Sequence, residues 1–394
     1  MASTFPVESA SSELLACILD RAPWPDYLLR RALVEDEGRE LLSVVVERMG
    51  DMFEPALCDE YARLFTRVVE LLKPDWKATD LLSRYERIRR VRRMEASGVR
   101  TITVLSRITL GADIAVTSVI LDSLKSRFPQ ARIRFVAPQK NYELFASDPR
   151  IEHIPVTYPR TGSAVARIAK SSDLHFDTGI VVDPDSRLTQ LGIVPVCEEK
   201  RYYFFESRAY CADSEDALPQ LTSRWAEEVF RSPGRAYLNP HYVPMHHQVA
   251  VSLGVGGNER KRIAGSFEEN LLRGLLARGL SVIVDEGGGG EEMERVRALK
   301  SAVPGIDTWS GSFAAFASMI SQAALYIGYD SAGQHVAAAS GVPLVCIFAG
   351  YPSERMLQRW KPWGPGPREV VKVAHQTTTE EAIDRMLKER TSIE

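Results

Sequence analysis

The sequence predicts an α/β protein: two α/β sheets facing across a cleft, with a helical region ahead of them. Three observations carry this. From Thr101 onward, short apolar strand runs alternate with longer segments of helical period, the pattern of strand–helix–strand units. The alternation breaks at the Ser/Asp/Pro-containing stretch 213–219 and the polar run PGRAYLNPHYVPMHH at 233–247, then begins again. Residues 1 to about 97 show helical spacing and no strand pattern. The expected organisation is a helical region over 1–97, a first α/β domain over 98–240 and a second over 241–394.

In the helical region, Cys58, Tyr61, Leu64, Phe65, Val68, Val69 and Leu72 recur at helical spacing, and Pro74 closes the run. Further helices are expected at 11–20, 27–34, 38–49 and 78–95. The last ends in the cluster Arg87, Arg89, Arg90, Arg92, Arg93. Tyr85 is the one aromatic beside it and no second basic stripe exists, so a solvated face or a partner contact explains it better than a nucleic-acid patch. The first α/β half opens with the strand TITVLS (101–106), a helix over 114–128 and the strand ARIRFVA (131–137). Strands at 151–156 and 179–183 and a helix near 221–231 follow.

The second half opens with QVAVSLG (248–254), a helix at 266–278, LSVIVDE (280–286) and a helix from Glu291. It ends in LYIGYDSAGQHVAAASGVPLVCIFAG (325–350), the most informative stretch of the chain. There a strand runs into Asp330-Ser331, either of which is placed to cap a helix over 334–340. Gly341 and Pro343 end that helix before a strand at 344–348. The run EEAIDRMLKER (380–390) reads as an amphipathic closing helix.

Composition bounds the class. With 394 residues, 45% hydrophobic and 26% charged, the chain is long enough for two or three domains with real cores. A net charge of −3 argues against a generic polyanion binder, and nucleic acid is not an expected partner. Cysteines 17, 58, 197, 211 and 346 are scattered without a CxxC pair, so a reducing compartment and no metal site are expected. With no leader-like start and no apolar run of spanning length, the expected location is the cytoplasm.

Polar groups gather at the predicted strand ends, where ligands bind in such folds. The free N–H groups at the helix start after Asp330 and Ser331 make an anion site, with close backbone approach at Ala332 and Gly333 and His335 in the first turn. The competing reading is a capping Asp330 and an ordinary helix histidine. After the first strand, Asp113 stands at the end of a glycine-containing loop, as a general base or as a helix N-cap. After the strand at 179–183, Asp183, Asp185, Arg187 and Gln190 crowd one short loop, suited to a polyhydroxylated acceptor or to bracing a turn. In GVGGNERKR (254–262), Gly256 and Gly257 permit a phosphate to approach the backbone while Lys261 neutralises it. Glu291, after the glycine run 287–290, is a candidate for a ribose contact, with a flexible surface loop as the competing reading.

Four of these segments, LSRITLGADIAVTSVILDSLKSRFPQARI, VSLGVGGNERKRI, IVDEGGGGEE and GYDSAGQHVAAASGVPLVCIFAG, occur in the order and spacing that resembles glycosyltransferase family 9, the ADP-heptose:lipopolysaccharide heptosyltransferase family of GT-B fold, over roughly 100–375. The resemblance implies two Rossmann-like domains, preceded here by the additional helical domain. It implies inverting, metal-independent transfer of a sugar from a nucleotide-diphosphate donor, ADP-heptose leading, to a hydroxyl, with no other cofactor. It assigns Asp113 to deprotonating the acceptor, and Lys261 and the Asp330–His335 element to the donor diphosphate. Arg107, in the loop before Asp113, is expected to bind the acceptor together with Asp183, Asp185, Arg187 and Gln190. Ala112 is inserted before the acid, Ala332 stands where the family usually has glycine, and the 183–190 loop has no counterpart. The acceptor class stays open among saccharide, lipid-linked and protein. Residues 1–97 are candidates for oligomerisation, for docking a partner or for covering the first sheet. Two alternatives remain, another nucleotide-sugar enzyme such as an epimerase, and a noncatalytic scaffold of the same fold.

Overall fold

The architecture follows from strand runs that are each flanked by a helix-forming segment, so neighbouring strands lie parallel. In a computed structural model, residues 9–95, 98–372 and 376–391 are described, and the expected boundary at 97 lies outside them. The first sheet contains β1 (Thr101–Leu105), β2 (Arg132–Ala137), β3 (Ile151–Pro155), β4 (Ile180–Asp183) and β5 (Tyr202–Phe204), in the order β3-β2-β1-β4-β5. The second contains β6 (Val249–Ser252), β7 (Val282–Asp285), β8 (Asp307–Trp309), β9 (Leu325–Tyr329), β10 (Leu344–Phe348) and β11 (Arg368–Lys372), in the order β11-β10-β9-β6-β7-β8. Every pairing is parallel, in register from Thr101 opposite Arg132 and from Val249 opposite both Val282 and Leu325.

These orders fix where a ligand can sit. Strand order reverses between β1 and β4 in one sheet and between β6 and β9 in the other, and loops diverge from the carboxyl ends of strands at such points. The four loops that leave there are 106–109, 184–190, 253–262 and 330–331, which hold most of the polar clusters singled out in the sequence.

Alternation along the strands splits the first sheet's side chains between two cores. Ile102, Val104, Ile133, Phe135 and Val182 pack in one with Trp225 and Phe230 of the helix Leu218–Phe230, and this apolar cluster continues into the second lobe through Phe316, Val336 and Met356. Leu105, Val136, Val181, Tyr202 and Phe204 face the other way and share a core with Leu64, Phe65, Val68 and Val69 of the helix Pro55–Leu72. Each of those four helix residues is fully buried, stabilising the packing by about 1.5–3 kcal/mol. The expectation of a separate helical domain is therefore corrected: the leading helices form the outer layer of the first lobe. They cover a sheet face that would otherwise lie bare.

The arginine cluster serves the same packing. Arg87 pairs with Glu199 at 2.9 Å, Arg89 with Glu206 at 2.9 Å, and Arg92 donates to the Tyr202 carbonyl at 2.8 Å while lying over the Tyr203 ring. The helix that carries Arg87 ends at Ile88 rather than at 95. Other departures involve short elements. β5, β8 and the helices Ala164–Ser172 and Glu354–Trp360 run two or three turns or fewer, too brief for periodicity to register. The run 233–247 is pinned rather than loose, with Tyr237 bonded to Ser118 and Asp148 and Val243 to Ser318. The closing helix Gln376–Thr391 packs Ile383 and Met386 into the core of the second lobe. Among the described residues no helix is long and apolar enough to cross a membrane.

Candidate functional site

The second lobe builds its part of the site at the start of the helix Ala332–Ser340. Ser331 occupies the N-cap position in extended backbone, but its side chain makes no capping bond. Asp330 is drawn away instead, accepting from Lys261 Nζ at 2.6 Å and Gln334 Nε2 at 2.6 Å. The helix thus begins without a side-chain cap, its first N–H groups carrying the positive end of the dipole, with an ammonium held beside them. Beneath this turn lie the hydroxyls of Tyr326 and Ser252, both buried and without a well-formed hydrogen bond among the described residues. A Cβ on residue 333 would fall 2.2 Å from Tyr326 Oη. Glycine is thus required at 333, and Ala332 is tolerated one place earlier.

His335 is buried at the seam between the lobes, its ring 5.7 Å from Trp360. Burial lowers its pKa to about 4, a shift that nearby Asp330 opposes and Lys261 reinforces, so the imidazole is neutral at pH 7. The first lobe meets this helix through Gly111, where a Cβ would approach both Ala332 Cα and His335 Cδ2 to 3.2 Å. A methyl at 111 would press on both, so the two elements would have to give slightly to admit it.

Gly256 and Gly257 form an exposed turn with φ of 63° and 82°, open to the approach of a ligand. Of the three adjoining cations, Arg262 is tied to Glu259, Glu268 and the Leu253 carbonyl, Arg260 is exposed, and Lys261 alone reaches the helix start. Glu291 points to solvent. Its neighbour Glu292 folds back, accepting from the Val255 N–H at 3.0 Å and lying against Gly254 and Gly287. The carboxylate that faces these loops is therefore Glu292, a one-residue correction that only helix register decides.

The first lobe departs more strongly from expectation. Asp113 is neither an N-cap nor an exposed base: it lies inside a helix at 0% exposure, at the head of the π-helical stretch Asp113–Thr117. It accepts from Ser106 Oγ at 2.5 Å, the Arg107 N–H at 2.7 Å, Thr117 Oγ1 at 2.6 Å and Asn141 Nδ2 at 2.7 Å. Burial pushes its carboxyl pKa up while those four donors pull it down, and burial prevails. The π-helical stretch follows directly on the short helix Leu110–Ala112 and starts at Asp113 itself.

The acceptor loop is likewise turned in on itself. Asp183 is buried beneath Thr189, Tyr202 and the Ser186 N–H, and burial raises its pKa to about 6. Asp185, at φ 67°, accepts from Ser207 at 2.8 Å and from Arg208 at 3.0 and 3.1 Å. Arg107 donates to the Pro184 carbonyl and to Ser207, both at 2.7 Å, and Gln190 donates to Ser171 at 2.9 Å. Asp183, Asp185, Arg107 and Gln190 brace the turn, which corrects their assignment as acceptor ligands. Arg187, with a side chain 30% exposed, is the member left partly open.

A pair of parallel sheets with an anion-ready helix start at their seam is the arrangement of the GT-B fold. Residues 267–388 match the model for glycosyltransferase family 9 (heptosyltransferase), so the resemblance read from the motifs is supported on that segment. The motifs of the first lobe lie outside the match. Among solved structures, the fold resembles E. coli heptosyltransferase WaaC with ADP-2-deoxy-2-fluoro heptose, at TM-score 0.55 and 13% identity over 73% of this chain and 99% of that one. It also resembles E. coli ADP-heptose lps heptosyltransferase II (0.53, 15%, 74% and 99%) and the family 9 glycosyl transferase from Veillonella parvula (0.55, 16%, 77% and 100%). Those chains align nearly end to end while part of this one has no counterpart. No curated protein matches the sequence.

Proposed function

We propose that the chain transfers a sugar, with inversion, from a nucleotide-diphosphate donor to a hydroxyl acceptor, with ADP-heptose the leading donor. One observation carries the reading: Lys261 is held at the uncapped start of Ala332–Ser340, where strand order reverses between β6 and β9. An ammonium and a helix start together stabilise the charge that develops as the diphosphate leaves. The Gly256–Gly257 turn lets phosphate approach, and Glu292 is placed for a nucleoside hydroxyl. The ADP-sugar in the WaaC structure supports adenine as the base and heptose as the sugar.

The reading is tested by thermal shift with ADP-, GDP-, UDP- and dTDP-sugars, since a ligand selective for the folded state raises its melting temperature. ADP-heptose is expected to give the largest shift, and Lys261→Ala is expected to weaken ADP binding at least about tenfold by calorimetry, the loss of one charge-assisted contact. Failure of all four donors to bind at millimolar concentration overturns the donor assignment. Recovery of an epimerised sugar nucleotide in place of a transfer product overturns the reaction.

A further inference from the structure

Lys261 is held at the donor site from the opposite loop. Among the described residues its ammonium makes two hydrogen bonds, both to Asp330, at 2.6 Å to Oδ2 and 3.3 Å to the backbone carbonyl. A carboxylate side chain can turn about χ1 and χ2, so whatever fixes the other oxygen of Asp330 also fixes where the ammonium stands. That oxygen, Oδ1, accepts from Gln334 Nε2 at 2.6 Å, one helical turn further on.

Gln334 is fully buried, with β10 beside it. Its Oε1 accepts from Cys346 Sγ in that strand at 2.6 Å. Burial pushes the Cys346 thiol well above its ordinary range, so the sulfur keeps its proton and remains a donor. A thiol has to meet the amide oxygen and a carboxylate the amide nitrogen, so the two partners select one orientation of the amide. Flipped, it would set Oε1 against Oδ1 and leave both unsatisfied inside the fold. Nε2 also lies 3.4 Å from the Trp360 carbonyl and 3.5 Å from His335 Nε2, contacts too long to compete with Asp330. The Trp360 ring itself packs edge-on against Phe53 of the leading helices, at 6.2 Å. A line of hydrogen bonds thus runs from the buried strand through Gln334 and Asp330 to the ammonium.

We infer that Gln334 is a positioning residue of the donor site: through Asp330 it sets where Lys261 presents its charge to the donor diphosphate, and Cys346 keeps its amide turned the right way. The inference rests on the glycosyltransferase reading above and gives Gln334 no contact with the donor itself. Its physical basis is competition for Asp330. Released from the amide, that carboxylate is free to turn toward the uncapped N–H groups at the helix start, where its charge would oppose a phosphate and take Lys261 with it. Held by the amide, it leaves those N–H groups open and keeps the ammonium beside them.

The test uses the full chain, with ADP affinity measured by calorimetry and folding checked by melting temperature. Methionine matches glutamine in length but cannot donate. Gln334→Met is expected to weaken ADP binding at least about fivefold in the otherwise unaltered chain and less than about twofold in Lys261→Ala, because a residue that acts through Lys261 then has nothing left to act on. Gln334→Glu is expected to rescue. Burial beside Asp330 favours its protonated carboxyl, which donates as the amide does, so at about pH 6 its ADP affinity should approach that of the unaltered chain. Its advantage over Gln334→Met should shrink as the pH rises and the introduced carboxyl ionises. The charged or titratable groups around that position are Asp330, His335, Lys261 and Cys346, so each affinity is compared with that of the unaltered chain at the same pH. Equal losses in both backgrounds mark a structural role and overturn the inference, as does a Gln334→Glu chain that binds ADP no better than Gln334→Met at the acid pH. If Gln334→Met does not fold, Gln334→Ala takes its place. No ADP binding by the unaltered chain, or equal binding by Lys261→Ala, overturns the donor reading and the inference with it. A loss in Lys261→Ala without one in Gln334→Met overturns the inference alone.

Discussion

Single atoms decide the donor site. Gly333 is where the helix start passes over the Tyr326 hydroxyl, and a methyl there would overlap both that oxygen and the ring. Gly333→Ala is therefore expected to lower stability by about 1–3 kcal/mol, the range for overpacking a filled site, read as a drop in urea midpoint at unchanged slope. His335 gives a pH signature of known sign. Its ordinary pKa of 6.5 falls to about 4 in the fold, so between these values the unfolded chain binds a proton that the native chain excludes. This group's contribution to stability is lost as pH falls from 6.5 toward 4. Asp183 and Asp285, each raised to about 6 by burial, act in the opposite sense over much of that window, so the effect is isolated by comparison with His335→Gln. The variant should lose less stability on acidification than the unaltered chain, and equal losses would show a histidine already protonated in the fold. The residue types here were legible in the sequence. The uncapped serine, the choice of Glu292 over Glu291 and the orphan hydroxyls were not, because each depends on helix register or on a strand lying underneath.

Whole elements show why two loops with similar residues play different parts. The 254–262 turn is exposed at 256–260 and sends Lys261 to the helix start at Asp330, whereas 183–190 is folded under the leading helices, with Tyr61 donating to the Gln190 carbonyl at 2.8 Å and the Arg208 guanidinium 5.0 Å from the Tyr61 ring. Asp185 and Arg208 form a buried pair inside that packing. Asp185→Ala leaves the guanidinium uncompensated, and the expected penalty is about 3–5 kcal/mol, measured as a lowered melting temperature. A small change would mean that water reaches Arg208. Spacing placed both loops at strand ends, which held. It gave no means of telling a ligand-binding carboxylate from a bracing one, since both kinds call for acidic and basic residues in a tight turn. The π stretch after β1 is a similar case. The carboxylate of Asp113 was visible after β1, while its burial depends on the partners Ser106, Thr117 and Asn141 that the fold gathers around it.

At the scale of the molecule, the leading helices are part of the first lobe's core and of its seam with the second. Removal of residues 1–90 would bare Leu105, Val136, Val181 and Phe204, so the shortened chain is expected to be insoluble or to lack a cooperative melt. A soluble fragment with a sharp transition would show that the sheet face is covered in another way. The sequence by itself determined the alternation of strands and helices, the two halves, the family resemblance and the lysine and helix start that suit a diphosphate, because periodicity and short anion-binding motifs are local properties. Only the tertiary structure decided that Asp113 is sealed and that the 183–190 loop is a brace. Burial and orientation are set by segments far apart in the chain, and no local pattern encodes which of several carboxylates ends facing water.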